Sequence, residues 1–495
     1  MARNPSFPQS VKPFDVIVIG GGINGAGIAC EAASRGLSVG LYEAKDFAVA
    51  TSSASSKLIH GGLRYLEQYE FRLVKEALAE REVLLNKAAH LVKPMRFRLP
   101  HHAALRPKWL IKAGLFLYDH LARRSVLQPS KTIQLKTSDG LKPQLTTAFE
   151  YSDCWVDDAR LVISNIKQAF FDGAEVRNYC EVLNVSRQDA VWKVELHDQR
   201  TNTQVTRYAR AVVNATGPWA SDFLEQRSGE KSAHKMQLIK GSHLIVNQLY
   251  QGDEAYILQN SDKRVVFVIP YLDRFSMIGT TDIPYQGDPY KAKASQDEID
   301  YLLDVCNQHF TAQLTQSDII DSFSGVRPLF GDPNVLAQQQ SRDYELVLSC
   351  QHTLPILTVY GGKLTTYRKL AQRAIDQLAP YFGSLQPSIS ANQVFTEANG
   401  LDSQQLHHQL SEQYPFLSQT CLSRLIHAYG VESWRVLEHL RADEAPIAAE
   451  VYQCELDYLQ QQEWAWTGED ILYRRSKLCY QLTPQEQKLI EQSLS

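Results

Sequence analysis

A glycine turn near the N-terminus restricts the fold of this chain more than any other feature. The β-branched run Phe14–Ile19 leads into Gly20, Gly22 and Gly25, which are spaced as G-x-G-x-x-G, and an Ala-rich segment follows. A second apolar run then ends at Glu43. The three glycines allow a tight turn, close approach of a pyrophosphate and close helix packing. This order predicts a strand–helix–strand unit whose helix N-terminus faces the phosphates of a dinucleotide.

Glu43 narrows the choice of dinucleotide. An acidic side chain at the end of the second strand binds the adenosine ribose diol and disfavours a 2′-phosphate. The unit therefore suits FAD or NAD better than NADP, although a glycine pattern read alone also fits a flexible turn.

Two further segments favour FAD over NAD. Residues 51–65 carry a run of hydroxyls and glycines just beyond the second strand, where an extended flavin dinucleotide would pass. Gly361 and Gly362 open a helix, and amides near Lys363 and Leu364 would reach the flavin edge where negative charge develops on reduction. Read alone, the first segment also fits a solvated serine-rich loop and the second an ordinary turn.

The predicted cofactor residues lie in these glycine turns, in the hydroxyl-rich segment and in a third apolar-to-glycine cluster at residues 214–219. They are Gly20, Gly22, Asn24, Gly25, Glu43, Thr51, Ser52, Ser53, Ser56, Lys57, Leu58, His60, Gly61, Gly62, Thr216, Gly217, Gly362, Lys363, Leu364 and Thr365.

Composition excludes several classes of protein. The 495 residues are 44% hydrophobic and 21% charged, which is typical of a globular protein and not of a disordered or fibrous one. A net charge of −4 provides no global basic field for nucleic acid. Eight scattered cysteines indicate reduced thiols. Because no signal-peptide pattern and no apolar run of about eighteen residues occurs, we expect the chain to stay in the cytoplasm without crossing a membrane.

The distribution of motifs predicts an α/β fold with a discontinuous base over residues 12–388. In this base we expect a Rossmann-like FAD-binding domain and an antiparallel-sheet substrate domain. The FAD-binding parts are about 12–70, 150–225 and 325–388, and the substrate parts are about 71–149 and 226–324.

Residues 389–495 have a different texture. Glycine almost disappears, acids outnumber basic residues, and helical patterns dominate. We therefore expect an all-helical C-terminal domain, whose last helix begins at the capping box Thr483-Pro484-Gln485-Glu486.

Taken together, the motifs resemble those of the FAD-dependent, aerobic glycerol-3-phosphate dehydrogenases. The matching segments are residues 19–36, 50–67, 76–85, 149–161, 214–219, 239–243, 278–282, 324–328 and 361–371. One departure is Glu31, where the first motif of the family usually has Asp. The resemblance implies oxidation of sn-glycerol 3-phosphate to dihydroxyacetone phosphate by hydride transfer to FAD, with electrons passing to ubiquinone. It also implies a peripheral, homodimeric enzyme on the cytoplasmic side of the inner membrane.

This chemistry needs cations for a phosphate dianion and a base for the C2 hydroxyl. For the phosphate we predict Arg64, Tyr65, Arg327 and Lys363, because Arg clamps phosphate oxygens bidentately and Lys adds a point charge. His243 is the predicted base, since imidazole titrates near working pH. Arg327 could instead polarise the substrate oxygen, in which case His243 only orients it.

Other polar residues are weaker candidates. Thr280, Thr281 and Asp282 fit a supporting role near the substrate, and a purely structural role fits them as well. We expect no metal at the adjacent His101 and His102, because no acid or cysteine nearby completes a ligand set.

Residues 93–131 are the predicted contact with an anionic membrane. Lys and Arg outnumber acids there and alternate with apolar side chains such as Trp109, Leu110 and Phe116. A basic helical stretch with a wide apolar face suits the headgroup boundary. A core helix with a basic solvated rim explains the same pattern.

Two other functions remain open at this point. One is an oxidase of the same fold that passes electrons to oxygen, for which hydrogen peroxide would be the mark. The other is a catalytically silent, membrane-bound flavoprotein, which the presence of Arg64, Arg327 and Lys363 disfavours.

Overall fold

The computed structural model describes residues 12–102, 105–123, 126–260, 262, 264–330, 343–351 and 354–494. Within them the chain forms two mixed β-sheets, helices that pack on the first sheet, and a helical C-terminal region. The expected α/β fold class is confirmed.

The strands, in chain order, are β1 (Phe14–Ile19), β2 (Val39–Tyr42), β3 (Leu58–Ile59), β4 (Val92–His101), β5 (Lys131–Gln134), β6 (Thr147–Val156), β7 (Glu175–Arg177), β8 (Cys180–Gln188), β9 (Val191–Asp198), β10 (Thr203–Asn214), β11 (Met236–Asn247), β12 (Ala255–Gln259), β13 (Val265–Tyr271), β14 (Phe275–Gly279), β15 (Ile283–Pro284), β16 (Ile319–Phe330), β17 (Tyr344–Gln351) and β18 (Leu354–Gly361).

The α-helices are α1 (Ile23–Ser34), α2 (Phe71–Lys87), α3 (Lys108–His120), α4 (Asp158–Phe171), α5 (Ala220–Arg227), α6 (Gln296–His309), α7 (Tyr367–Leu378), α8 (Ser403–Gln413), α9 (Gln419–Tyr429), α10 (Ser433–Leu437), α11 (Gln453–Glu463) and α12 (Pro484–Gln492). A π-helical turn, Asp470–Arg475, lies between α11 and α12.

The first sheet explains the continuous apolar run of β1. Its strands follow the order β17-β18-β10-β1-β2-β7, in which all neighbours except β17 and β18 are parallel. Val16 and Val18 pack under helices α1, α4 and α7, whereas Ile17 packs against the β8–β9 hairpin. A strand buried on both faces needs apolar residues at every position, which is the pattern that predicted it.

The second sheet is mainly antiparallel and contains strands from both predicted parts of the base. Its order is β15-β11-β14-β13-β12-β4-β6-β3, with β16 paired to β11 and β5 paired to β6. The segments of β3, β6 and β16 that we expected in the FAD-binding parts belong to this sheet. Leu58 pairs with Trp155, and Arg327 pairs with Ile239, so these segments are placed by partners distant in sequence.

The C-terminal region is helical and has its own apolar core. Leu410, Leu422 and Leu456 are fully buried within it. Helix α12 begins at the predicted capping box, since Glu486 Oε2 accepts a hydrogen bond from Thr483 N at 2.8 Å. Pro484 occupies the first turn, where a missing amide hydrogen costs nothing.

The basic segment 93–131 is not one helical stretch, contrary to our expectation. Its first part is strand β4, and among the described residues of the segment only α3 is helical before strand β5. On β4, Arg96 and Arg98 form ion pairs with Glu150 of β6, at 3.0 and 2.9 Å. Both guanidinium groups are therefore paired within the sheet, Arg98 also with Glu254, and a membrane contact by this segment is reduced to α3 and its flanks.

Helix α3 presents apolar side chains to solvent. Trp109 is 70% exposed and Phe116 is 65% exposed, and the neighbouring Lys108 and Lys112 are exposed as well. In the part of the chain that the structure describes, we find no helix with the length and apolarity needed to cross a membrane.

Candidate active site

A cavity of about 590 Å³, here called the first cavity, lies at the carboxyl ends of the parallel strands. Ligands of open α/β sheets bind at this edge, because the turns after the strands meet there. The predicted cofactor residues that line it are Gly20, Gly22, Asn24, Glu43, Thr51, Ser52, Ser56, Leu58, His60, Thr216, Gly217, Gly362, Lys363, Leu364 and Thr365.

The glycine turn after β1 depends on two close backbone approaches. Gly20 has a φ of +108°, and a Cβ there would lie 2.5 Å from the carbonyl oxygen of Ala215. A Cβ on Gly25 would lie 1.9 Å from the carbonyl oxygen of Gly20. Gly25 therefore packs α1 against the turn and does not line the first cavity. Ser52 joins the hydroxyl-rich segment to this turn, because its Oγ accepts a hydrogen bond from Ile23 N at 2.9 Å.

Glu43 is fixed at the end of β2 by backbone amides. Its Oε2 accepts a hydrogen bond from Gly21 N at 2.7 Å, and its Oε1 accepts one from Lys45 N at 2.9 Å. Burial raises the pKa of Glu43, and these amide hydrogen bonds oppose the increase. The carboxyl group is thus held rigidly on the cavity wall, at the position expected for a ribose diol.

Asn24 and Gly362 provide a direct test of whether these residues fit a dinucleotide. Asn24 Nδ2 donates to the carbonyl oxygen of Gly361 at 3.1 Å, while Asn24 Oδ1 has no hydrogen-bond partner among the described residues. An orphaned buried acceptor on a cavity wall fits a ligand that carries a donor, such as a hydroxyl or a ring N–H. A Cβ on Gly362 would lie 2.7 Å from Asn24 Nδ2, so the bare backbone keeps this wall open. The residues present fit FAD.

Five predicted cofactor residues, namely Gly25, Ser53, Lys57, Gly61 and Gly62, do not line the first cavity. Lys57 is almost fully buried beneath the hydroxyl-rich segment, where its Nζ lies 2.9 Å from Asp158 Oδ1. Gly61 N donates to the hydroxyl of Tyr118 at 2.9 Å, and Gly62 lines a neighbouring cavity.

That neighbouring cavity, here called the second cavity, has a volume of about 1250 Å³ and lies between the second sheet and α3. Its walls include Leu66, Leu110, Ile111, Val265 and other apolar side chains. The two cavities meet at a junction, which we define by the residues that line both: His60, Tyr65, Phe267, Thr280 and Arg327.

His243, the predicted base, lines the first cavity from strand β11. Its Nε2 lies 2.9 Å from Ser56 Oγ, and its ring stacks on Phe323 with centroids 4.8 Å apart. Among the described residues its Nδ1 has no hydrogen-bond partner. Burial lowers the pKa of His243 to about 3, and the cations of Lys57 and Arg327 act in the same direction. The imidazole is therefore neutral near pH 7, and one of its nitrogens can accept a proton.

Arg327 is the predicted cation that reaches the junction. It projects from β16 and is 33% exposed, and its Nη2 lies 3.0 Å from Asp282 Oδ1. The same nitrogen donates to the carbonyl oxygen of Thr281 at 3.4 Å. Two of the weaker candidates, Asp282 and Thr281, therefore contact this guanidinium, and their supporting role stays a prediction.

Lys363 and Tyr65 lie together on the wall of the first cavity. The Lys363 Nζ is 3.9 Å from the centre of the Tyr65 ring, a cation–π contact. The side chain of Arg64 lies outside the described part of the structure. Three of the four predicted phosphate residues, Tyr65, Arg327 and Lys363, therefore line one cavity together with His243.

The sequence did not single out three aromatic residues at this site. Phe267 lies at the junction, and the stacked pair Trp219 and Tyr290, with centroids 4.3 Å apart, lines the first cavity. The alternation of β13 would place Phe267 on one face of its strand, but no local pattern indicates which face meets the cavity. Tyr290 comes from a short helical turn distant in sequence from Trp219.

Comparison with known proteins gives a consistent result. Residues 15–368 match the family of FAD dependent oxidoreductases. The chain is 50% identical to a glycerol-3-phosphate dehydrogenase of Pseudomonas aeruginosa, over 100% of this chain and 97% of that one. It is 47% identical to the aerobic glycerol-3-phosphate dehydrogenase of Escherichia coli, over 97% of each chain.

Two further similarities bear on substrate and cofactor. The chain is 43% identical to a D-erythritol 1-phosphate dehydrogenase of Brucella abortus, over 95% of this chain and 96% of that one. Its structure is similar to that of the glycerol-3-phosphate dehydrogenase from Bacillus halodurans complexed with FAD. That similarity has a TM-score of 0.73 at 27% identity and covers 98% of this chain and 94% of that one.

Proposed function

This chain belongs to the FAD-dependent oxidoreductases and, within them, to the glycerol-3-phosphate dehydrogenases, and from that premise we propose how its residues act. The enzyme oxidises sn-glycerol 3-phosphate to dihydroxyacetone phosphate, and FAD occupies the first cavity. When bound, FAD supplies the acceptor for the hydride that leaves C2 of the substrate.

The observation that carries this assignment is the arrangement around the junction. Arg327 borders both cavities, and Lys363 borders the first, so a small phosphorylated alcohol there meets two cations. Arg327 binds the phosphate oxygens, and Lys363 adds a point charge beside the Tyr65 ring. The phosphate group of the substrate is thereby held while the carbinol end of the substrate lies in the first cavity.

His243 takes the C2 hydroxyl proton in this proposal. With Nε2–H donating to Ser56 Oγ, Nδ1 is the nitrogen left without a hydrogen-bond partner among the described residues, and we assign the substrate hydroxyl to it. The neutral state is secured because burial keeps the pKa of this imidazole at about 3 in the free enzyme. A bound phosphate dianion raises that pKa by adding negative charge nearby, and so makes His243 a better base when the substrate is present. Phe323 keeps the ring plane fixed through stacking.

Anaerobic mixing of the FAD-loaded protein with substrate tests this function. We expect sn-glycerol 3-phosphate to bleach the yellow flavin absorbance in a single turnover, whereas glycerol, which lacks the phosphate, leaves it unchanged. If no phosphorylated polyol bleaches the flavin, the proposal is contradicted.

D-erythritol 1-phosphate is the second candidate substrate. The large second cavity opens at the junction and gives room for a longer carbon chain, and one relative is named for that substrate. We expect bleaching by sn-glycerol 3-phosphate to be faster at equal concentration. Faster bleaching by D-erythritol 1-phosphate would change the substrate assignment but not the reaction class.

For the electron acceptor we propose ubiquinone, reached from the membrane. Helix α3 forms a wall of the second cavity through Leu110, Ile111 and Leu117, and the same helix exposes Trp109 and Phe116. An apolar passage behind a helix that contacts lipid suits a lipid-soluble acceptor. The competing acceptor is oxygen. Formation of hydrogen peroxide equal to product in the absence of quinone would favour an oxidase.

We also propose that the protein is peripheral, on the cytoplasmic face of the inner membrane, and that it forms a homodimer. The exposed aromatic and basic side chains of α3 support the membrane contact. Sedimentation of the purified holoenzyme in detergent would give its oligomeric state, and a monomer at micromolar concentration would contradict the dimer.

A further inference from the structure

The hydroxyl-rich segment that carries Ser56 is held from below by one carboxylate. Asp158 Oδ2 accepts hydrogen bonds from Ser55 N at 3.2 Å and from Ser55 Oγ at 2.7 Å. Lys57 Nζ lies 2.9 Å from Asp158 Oδ1 and donates to the carbonyl oxygen of Ser53 at 3.0 Å. Asp158 and Lys57 together therefore fix both sides of Ser56, whose hydroxyl contacts His243 Nε2.

The next residue along this wall connects to the C-terminal region. Asp157 caps α4 by accepting a hydrogen bond from Arg160 N at 3.1 Å. It also accepts a hydrogen bond from Lys477 Nζ at 2.5 Å, and Lys477 follows the π-helical turn of the C-terminal region. Lys477 is 4% exposed, so this ion pair is sealed from water.

Lys57, Asp157, Asp158 and Lys477 form one buried charge cluster of two cations and two anions. All four side chains are buried. Burial raises the pKa of Asp157, but Lys477 and then Lys57 lower it, and the net pKa lies below its usual range. Lys57 binds Asp158, but its charge also acts on the nearby Asp157. Lys477 pairs with Asp157 and neutralises it.

We propose that Lys477 makes the C-terminal region a positioning element of the active site. By pairing with Asp157, Lys477 leaves Lys57 to bind Asp158 alone, and the hydroxyl-rich segment keeps Ser56 against His243. Without Lys477, the two adjacent carboxylates compete for Lys57, because an unpaired buried carboxylate is costly. Ser56 then shifts, and a displacement of about 1 Å at a catalytic group reduces the rate strongly. The effect on turnover rests on the function proposed above.

The test is a charge-balance series in the FAD-loaded protein. Lys477→Met removes one cation and is expected to lower kcat per bound flavin about tenfold with little change in KM. Asp157→Asn keeps the shape of the helix cap and removes one anion, so Lys477 then competes with Lys57 for Asp158 and kcat falls similarly. The double variant Asp157→Asn/Lys477→Met restores the balance, and kcat is expected to return to within about twofold of the wild type.

Lys167→Met is the matched control. Lys167 is a buried lysine, like Lys477, but it lies on α4. Its Nζ is 2.9 Å from Glu397 Oε1 of the C-terminal region. It is distant along the helix from the hydroxyl-rich segment. We expect Lys167→Met to lower the melting temperature as much as Lys477→Met does, while kcat per bound flavin stays unchanged.

Hydrogen exchange provides a readout that does not depend on turnover. Amides of residues 51–57 should exchange faster in Lys477→Met than in the wild type or in Lys167→Met, and the double variant should restore protection. Equal losses of kcat in Lys477→Met and Lys167→Met, or unchanged exchange at residues 51–57, would overturn the proposal. If Lys477→Met does not fold, Asp157→Asn and the double variant decide the same question. Failure of wild-type flavin to bleach with sn-glycerol 3-phosphate would instead count against the proposed function.

Discussion

At the scale of single residues, a change at Arg327 tests the proposed phosphate site separately from the FAD site. Arg327→Ala removes the proposed bidentate phosphate donor at the junction, and we expect the KM for sn-glycerol 3-phosphate to rise on the order of a hundredfold while FAD stays bound. Steady-state kinetics and the flavin absorbance of the purified variant measure the two effects.

Arg264→Ala is the control for this prediction. Arg264 also lines the second cavity, but it lies over the Tyr301 ring and is not at the junction. The KM of the Arg264→Ala variant for sn-glycerol 3-phosphate should remain near the wild-type value. An unchanged KM in Arg327→Ala would remove Arg327 from the phosphate site.

His243 is expected to act on the chemical step. His243→Asn removes the proposed proton acceptor, so the rate of flavin reduction at saturating substrate should fall about 10²- to 10⁴-fold. Phe323→Leu keeps the imidazole and removes only its stacking partner, so its loss should be much smaller. Stopped-flow absorbance measures both rates. Similar rates in His243→Asn and the wild type would favour the alternative in which Arg327 polarises the substrate oxygen.

At the scale of secondary-structure elements, α3 carries the predicted membrane contact. The double variant Trp109→Ser/Phe116→Ser removes the two most exposed rings of the helix. We expect its affinity for vesicles containing an anionic lipid to fall at least about tenfold, because ring burial in the headgroup boundary drives such binding. Vesicle co-sedimentation measures the affinity.

Trp434→Ser supplies the comparison for α3. Trp434 is also an exposed ring, at 38% exposure, but it lies in the C-terminal region. Vesicle binding by this variant should match the wild type. If the α3 variant also binds vesicles normally, the helix is a solvated wall of the second cavity and the membrane contact lies elsewhere.

Elements with local signals were predictable from the sequence, and elements fixed by distant partners were not. The run Phe14–Ile19, the glycine turn and the cap at Thr483 each follow from neighbouring residues, and the structure has them at the predicted positions. The strand β4 was read as part of a helical stretch, because the acid that pairs with Arg96 and Arg98 is Glu150, far along the chain.

The same distinction applies to the site. Gly20 and Gly22 were recognisable by spacing, whereas the position of Lys57 depends on Asp158, a residue of another element. A lysine in a hydroxyl-rich segment looks like a ligand contact in sequence. Its burial and its ion pair become visible only when α4 is packed beneath it.

At the scale of the whole molecule, buried histidines make stability depend on pH. Burial lowers the pKa of both His90 and His427 to about 3. Because the unfolded chain has histidine pKa values near 6.5, it binds protons that the folded state does not between about pH 6.5 and 3. The contribution of these neutral histidines to the free energy of unfolding is therefore complete above about pH 6.5. It is lost as the pH falls from about 6.5 towards about 3.

Urea unfolding at pH 7.5 and pH 5 measures this effect. We expect the free energy of unfolding at pH 5 to be lower by about 2 kcal/mol for each such histidine. His427→Gln should reduce the difference between the two pH values, since glutamine does not titrate in this range. An equal difference in the variant and the wild type would show that His427 is not a source of the dependence.

The ion pairs between the C-terminal region and the base also have a consequence for biosynthesis. Arg475 Nη2 lies 2.7 Å from Asp46 Oδ1, just after Glu43, and Lys477 pairs with Asp157. Translation delivers both aspartates long before it delivers their partners. Asp46 and Asp157 can therefore be buried with their partners only after more than nine-tenths of the polypeptide has been made, because an unpaired buried carboxylate is costly. We therefore expect the base to reach its final packing, and with it to bind flavin stably, only after synthesis is complete.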